Sequence, residues 1–104
     1  LAEGMHFSEK AGLNTKEVIE VISRGAAQSW QMDNRWETML ADYYEHGFAV
    51  DWMRKDLGFV LEESVVNGSN LEITNLIDSF YAEVQQKEGG RWDTSSLFRR
   101  LNSQ

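Results

Sequence analysis

Apolar residues in this chain recur at three- and four-residue intervals, and no segment alternates apolar with polar residues long enough to make a convincing strand. The pattern is clearest at Ile73, Leu76, Ile77, Phe80 and Val84. It also governs the stretch around which the rest is organised, Phe48 to Glu63 (FAVDWMRKDLGFVLEE), where Met53, Leu57, Val60 and Leu61 share one helical stripe. A chain with only this period has to bury helix against helix. The expectation is therefore an all-α fold, a compact bundle of about five to six helices with short connections. No proline occurs, so the elements are bounded by Gly, Asn, Ser and Asp instead.

In chain order, residues 1–11 read as a first helix with Leu1, Met5 and Ser8 on one side and Gly12 as its stop. It has no N-cap residue and no initiator Met, which suggests a chain cut from something longer. Asn14 and Glu17 resemble a capping box ahead of a second helix with Val18, Ile19 and Ile22 as its stripe, ending near Gly25. After the small-residue turn at 25–28, Ser29 is placed to cap a third helix. Its expected buried face is Trp36, Met39, Leu40 and Tyr43. Residues 45–47 read as a loop. The organising helix is expected from about Ala49 to Asn67, stopped by Gly68. Ser69 and Glu72 have capping-box spacing for the next helix, which ends at Gly89-Gly90. Asp93 or Thr94 caps a last short helix with Leu97, Phe98 and Leu101 inside.

The 104 residues suffice for one small domain, and a 41% apolar content with four Trp supplies its core. No Cys is present, so neither a disulfide nor a thiolate metal site holds the fold. His6 and His46 are not spaced as a ligand pair, and neither has a Ser or Cys nucleophile beside it. A net charge of −7 opposes binding to nucleic acid but leaves room for one local basic pocket for a small anion. No apolar run approaches a membrane span and no segment reads as a signal peptide, so the cytoplasm is the simplest compartment. There is no GxGxxG and no strand–helix unit to hold one, so these residues build no dinucleotide fold.

Arg54 and Lys55 are unusually placed. A helix N-terminus is already partly positive, which suits Asp51 and not two cations. Either both are merely solvated, or they face an anion from elsewhere. Lys55-Asp56-Leu57-Gly58 resembles the KDLG signature of the β-hydroxyacid dehydrogenases, the 3-hydroxyisobutyrate dehydrogenase family. Val60 and Glu62 stand where that family tends to have Ala and Asp. Residues 2–13 (AEGMHFSEKAGL), residues 25–35 (GAAQSWQMDNR) and Gly47-Phe48 also resemble its C-terminal domain, in the same order and at about the same spacings. The similarity covers most of the chain.

The resemblance implies a fold like the C-terminal domain of 6-phosphogluconate dehydrogenase. Residues 1–104 would form a single helical domain, a C-terminal fragment lacking the N-terminal dinucleotide-binding domain. It implies hydride transfer between NAD or NADP and a small hydroxy acid. The family's catalytic Lys lies in a GxxGxxxKxxxN segment that would precede Leu1, so no catalytic residue is expected here. Carried over by position, Lys55 lies at the cofactor, and Phe48 and Asp56 lie near the substrate. An ammonium suits an oxygen or phosphate of the nucleotide, and a Phe supplies an apolar wall beside a small acid. Phe48 has an ordinary core aromatic as its competing reading, and Asp56 a surface acid or a partner for Arg54. Trp30 and Asn34, four residues apart, would line the same cleft unless Trp30 is packed in the core. Arg91, Arg99 and Arg100 default to solvated surface. The implied partners are the substrate, the chain's own N-terminal domain and a second copy in a homodimer, with apolar surface around Leu1 and Met5 left to be covered. The isolated chain is expected to be inert. The competing class is a free-standing helical protein-interaction module.

Overall fold

Six α-helices form, and local chemistry sets several of their ends. In the computed structural model, which describes residues 1–103, they are α1 (Ala2–Lys10), α2 (Thr15–Ile22), α3 (Trp30–Leu40), α4 (Val50–Asn67), α5 (Glu72–Gln86) and α6 (Leu97–Asn102). A 3-10 turn at Thr94–Ser96 leads into α6. Among the described residues the only β-type pairing is an isolated bridge between Ala49 and Asp93. The Asn14 side chain accepts the Glu17 N–H at 3.1 Å, and the Ser29 hydroxyl accepts the Met32 N–H at 3.1 Å. These bonds satisfy N–H groups that have no partner inside the helix. Gly68 ends α4 in the left-handed conformation, φ +79°, which a side chain would disfavour.

The second capping box does not form. Leu71 precedes α5 without a side-chain bond, two residues later than a Ser69 cap requires. The Ser69 N–H instead donates to the Asn67 side chain at 2.9 Å, and the Asn70 amide reaches Glu72 at 3.3 Å. The turn at Asn67-Gly68 has taken the backbone that the cap needed.

The helices close over two adjoining clusters. Met5, Ile19, Met32, Met39, Tyr44 and Phe98 form the larger, and Val50, Tyr81 and Val84 the smaller. Trp92 packs against both. Each buried tyrosine finds an acceptor: the Tyr44 hydroxyl donates to the Met39 carbonyl at 3.4 Å, and that of Tyr81 to the Thr94 carbonyl at 3.0 Å. Burial, more than any neighbour, pushes the Tyr81 phenol up to about 12.

Several expected core positions are corrected. α3 stops at Leu40, and Tyr43 lies outside it, exposed, while Tyr44 and Met32 are buried. Asp42 takes φ +55° and the Tyr43 N–H folds back to the Thr38 carbonyl, so the chain turns and residue 44 faces inward. Val60, Ile73 and Leu76 are exposed, because the seam between α4 and α5 is narrower than the apolar stripes on either helix. Met5 is 1% exposed and sits in the larger core, so it contributes no uncovered patch, whereas Leu1 is exposed as expected and Phe7 is the exposed large apolar residue of α1. Arg99 and Arg100 are not simply solvated. Arg100 pairs with Glu83 at 2.6 Å and lies 3.9 Å over the Phe80 ring. Arg99 pairs with Asp42 at 2.8 Å and stacks on Trp92 and Tyr44. Both tie α6 down. Arg91 alone of the three is exposed.

Candidate functional site

The site is built where the 47–48 turn meets the 93–95 segment. Gly47 has φ +70°, and a Cβ added there would overlap the Asp93 carboxylate and come within 2.9 Å of the Arg35 guanidinium. Only glycine fits this close approach. The Phe48 N–H donates to Asp93 Oδ1 at 2.8 Å, and the Phe48 carbonyl accepts the Thr94 N–H at 2.9 Å. Both backbone groups of Phe48 are thus fixed, while its ring is 45% exposed. It is not a core aromatic.

Asp93 is itself 1% exposed. Its other oxygen accepts the Ser95 N–H at 3.0 Å, the Ser95 hydroxyl and Arg35 Nε at 3.1 Å. Burial works against its ionisation. The Ser95 hydroxyl, the Phe48 and Ser95 N–H groups and the Arg35 cation outweigh that cost and hold the carboxyl below its ordinary value. Arg35 in turn lies 4.9 Å from the Trp30 ring centroid. Trp30 is exposed, not packed inside.

From Phe48, the spacing of four, three and four residues brings Trp52, Lys55 and Phe59 onto one side of α4. Trp52 and Phe59 are exposed, and the Lys55 ammonium lies 5.4 Å from one ring centroid and 5.9 Å from the other. Both distances are within cation–π range. No carboxylate pairs with Lys55 among the described residues, whereas its neighbour Arg54 is bound to Asp78. A cleft of about 530 Å3 opens between residues 45–49, Trp52, Arg91 and Trp92.

Of the residues singled out from sequence, Phe48 lines this cleft, and Lys55 lies on the next turn of helix beyond Trp52. Trp30 is joined to Phe48 only through Arg35 and Asp93 and does not line the cleft. Asn34 turns its amide back onto the Trp30 carbonyl at 3.0 Å. Asp56 is exposed beside Lys55 and is not the partner of Arg54. Sequence reasoning did not single out Trp52, Arg35 or Asp93 as part of a site. The helical spacing from Phe48 and Lys55 carried a signal for Trp52. Asp93 carried only a capping signal, and nothing local links it to a turn 45 residues away.

Among the described residues no group of His, Asp and Glu is arranged to hold a metal ion. His6 faces the Asn102 amide oxygen and His46 the Tyr43 carbonyl. Among the described residues no helix is long and apolar enough to cross a membrane.

The fold is that of the helical part of a dehydrogenase. It matches the crystal structure of 3-hydroxyisobutyrate dehydrogenase from Salmonella typhimurium with a TM-score of 0.85, at 24% identity, over 94% of this chain and 34% of that one. A family model described as "NAD-binding of NADP-dependent 3-hydroxyisobutyrate dehydrogenase" matches residues 1–101, and the chain belongs to that family. An uncharacterized oxidoreductase of Shewanella frigidimarina is 61% identical over 97% of this chain and 35% of its own length. The 2-(hydroxymethyl)glutarate dehydrogenase of Eubacterium barkeri is 27% identical over 95% of this chain and 33% of its own length. The chain thus spans about a third of the length of these relatives. The resemblance carried by the KDLG segment and its companion blocks is borne out.

Proposed function

We propose that this chain is the helical C-terminal domain of an NAD(P)-dependent β-hydroxyacid dehydrogenase. It supplies one wall of the cofactor and substrate sites, and a separate domain of the longer polypeptide supplies the dinucleotide fold and the catalytic Lys. The observation that carries the reading is the exposed Lys55 ammonium over Trp52, one turn of helix beyond the fixed, exposed Phe48.

The donor set fits a nicotinamide nucleotide. Lys55 offers charge to a phosphate or ribose oxygen, and the Trp52 and Phe59 rings offer flat apolar surface beside it. The bound nucleotide supplies the hydride acceptor or donor for a hydroxyl or carbonyl carbon. Phe48 gives a small hydroxy acid an apolar wall and excludes water from its side of the cleft. Asp56, Trp30 and Asn34 are the outer residues of the same reading. No residue of this chain is assigned the proton transfer.

The test is turnover by the full-length polypeptide over a panel of small hydroxy acids, with NAD and with NADP, alongside its Lys55→Met and Phe48→Ala variants. Lys55→Met is expected to weaken cofactor binding and Phe48→Ala to raise the KM for the hydroxy acid. Two variants indistinguishable from the parent would remove this face from the site. The purified 104-residue chain is expected to be inert, and measurable hydride transfer by it would contradict the division of labour proposed here.

A homodimer and a cytoplasmic location belong to the same reading. The exposed Phe7 on α1 and Val65 and Val66 on α4 give a second copy apolar surface to cover. Sedimentation that finds only monomer at high concentration would exclude the dimer.

A further inference from the structure

We infer that Asp93 is a positioning residue for the substrate side of the site: one carboxylate holds the Phe48 wall and, through Arg35, the Trp30 face in a single fixed geometry. The inference rests on the reading of Phe48 as substrate-proximal. Capping the 3-10 turn at Thr94–Ser96 requires one oxygen, which takes the Ser95 N–H at 3.0 Å. The second oxygen is committed to the Phe48 N–H at 2.8 Å. The capping oxygen also receives Arg35 Nε at 3.1 Å, and Arg35 covers the Trp30 ring at 4.9 Å. Three separate stretches of chain therefore meet on one side chain that is 1% exposed. Two of them carry the exposed aromatics Phe48 and Trp30.

The joint has little slack. A Cβ at Gly47 would overlap this carboxylate, so the turn already rests against it. A buried carboxylate that lost a donor would keep its desolvation cost and shift to recover a bond. The 47–48 turn is the segment that shifts most readily, because only the Thr94 N–H bond to the Phe48 carbonyl then holds it, whereas the other donors sit on a helix and on the cap itself. Displacing an apolar wall by a fraction of an ångström misplaces a small bound acid without touching the cofactor contact at Lys55.

The test uses the full-length dehydrogenase and its Asp93→Asn, Arg35→Lys and Phe48→Ala variants. Asn keeps the shape of the side chain but presents an N–H to donors on one side. Asp93→Asn is expected to raise the KM for the hydroxy acid about tenfold, with the KM for the cofactor within about twofold of the parent. Arg35→Lys, which keeps the charge but loses the planar fork, is expected to raise the same KM less, with the cofactor KM again within about twofold of the parent. If Asp93→Asn does not fold, Arg35→Lys decides. Hydroxy-acid KM values at the parent level in folded variants overturn the inference. So do cofactor and hydroxy-acid KM values that rise together, since that is general loosening. If Phe48→Ala raises the hydroxy-acid KM while Asp93→Asn and Arg35→Lys do not, this inference alone falls. If Phe48→Ala also leaves it unchanged, the site reading falls and this inference with it.

Discussion

Arg54 closes on Asp78 of α5 with two nearly parallel bonds, Nε to Oδ1 at 2.9 Å and Nη2 to Oδ2 at 3.0 Å. The anion that a cation this early in a helix requires comes from the neighbouring helix, and the pairing with Asp78 strengthens the hold of Arg54 on its proton. Lys55, one residue on, points about 100° around the helix and meets rings instead. Two adjacent cations therefore separate into a structural one and a candidate binding one. Arg54→Met is expected to destabilise this domain by about 1 kcal/mol, since the pair is part-exposed, and Lys55→Met to leave its melting temperature almost unchanged. In the full-length enzyme the order should reverse: Lys55→Met loses roughly ten- to a hundred-fold in turnover, about 1.5–3 kcal/mol. Thermal melts and steady-state kinetics check the two halves separately.

Gly58 lies inside α4, and an added Cβ would meet nothing within 4 Å. Ala there should raise the stability of the isolated domain by about 0.5–1 kcal/mol, because glycine loses the most backbone freedom on folding. The open space belongs to the KDLG segment, beside the Lys55 that the proposal sets at the nucleotide. The same substitution should therefore lower turnover of the full-length enzyme. A Gly58→Ala enzyme that is more stable and fully active would show that nothing approaches this residue.

Stability should fall at both extremes of pH, for two identifiable reasons. The Asp93 carboxyl is held below its ordinary value of 3.8, so its contribution is present above that value and is lost as pH falls through the folded-state value. Burial raises both buried tyrosines above their ordinary 10.0, Tyr81 to about 12 and Tyr44 further, so their contribution is complete below pH 10 and is lost as pH rises beyond it. Urea denaturation across pH should show the acid loss shrink in Asp93→Asn and the alkaline loss shrink in Tyr81→Phe. An acid limb unchanged in Asp93→Asn would mean that other carboxylates set it.

Met5 and Phe7 lie on the same short helix with opposite fates, 1% and 73% exposed. Met5→Ala should cost about 2–5 kcal/mol through the cavity it leaves among Ile19, Met39 and Phe98. Phe7→Ala should stay within about 0.5 kcal/mol for the isolated domain. Chemical denaturation of the two variants checks the contrast. A comparable loss for Phe7→Ala at high protein concentration would instead reveal a partner covering that ring.

Helix number, order and most boundaries were legible because they are local: a stripe at Ile19 or Val84, a cap at Asn14 or Ser29, a stop at Gly68. The errors fell where a local signal met a competing turn, as at Ser69, or where the stripe on a helix was wider than the seam available to bury it, as at Val60, Ile73 and Leu76. At the proposed site, Lys55 and Phe48 are singled out because a resemblance points to their positions. Asp93 is not, because its proposed role rests on bonds to residues 45 and 58 positions away, and no periodicity encodes such a meeting.

α4 is about 27 Å long, and its fully buried residue and its ion pair both lie in its first turns. Val50 is fully buried and bonded to the Trp92 carbonyl at 2.8 Å, and Arg54 is clamped to α5 within the first two turns. Near the other end, Val65 and Val66 are 84% and 80% exposed. Mechanically α4 and α5, packed along each other, form a two-helix beam built in at its root. Phe48, Trp52 and Lys55 sit at that root, where deflection is least. Forces applied at the Asn67 tip, from crowding or from a docking surface, act on the α4–α5 pair as a unit and deflect it least at the aromatic side of the cleft.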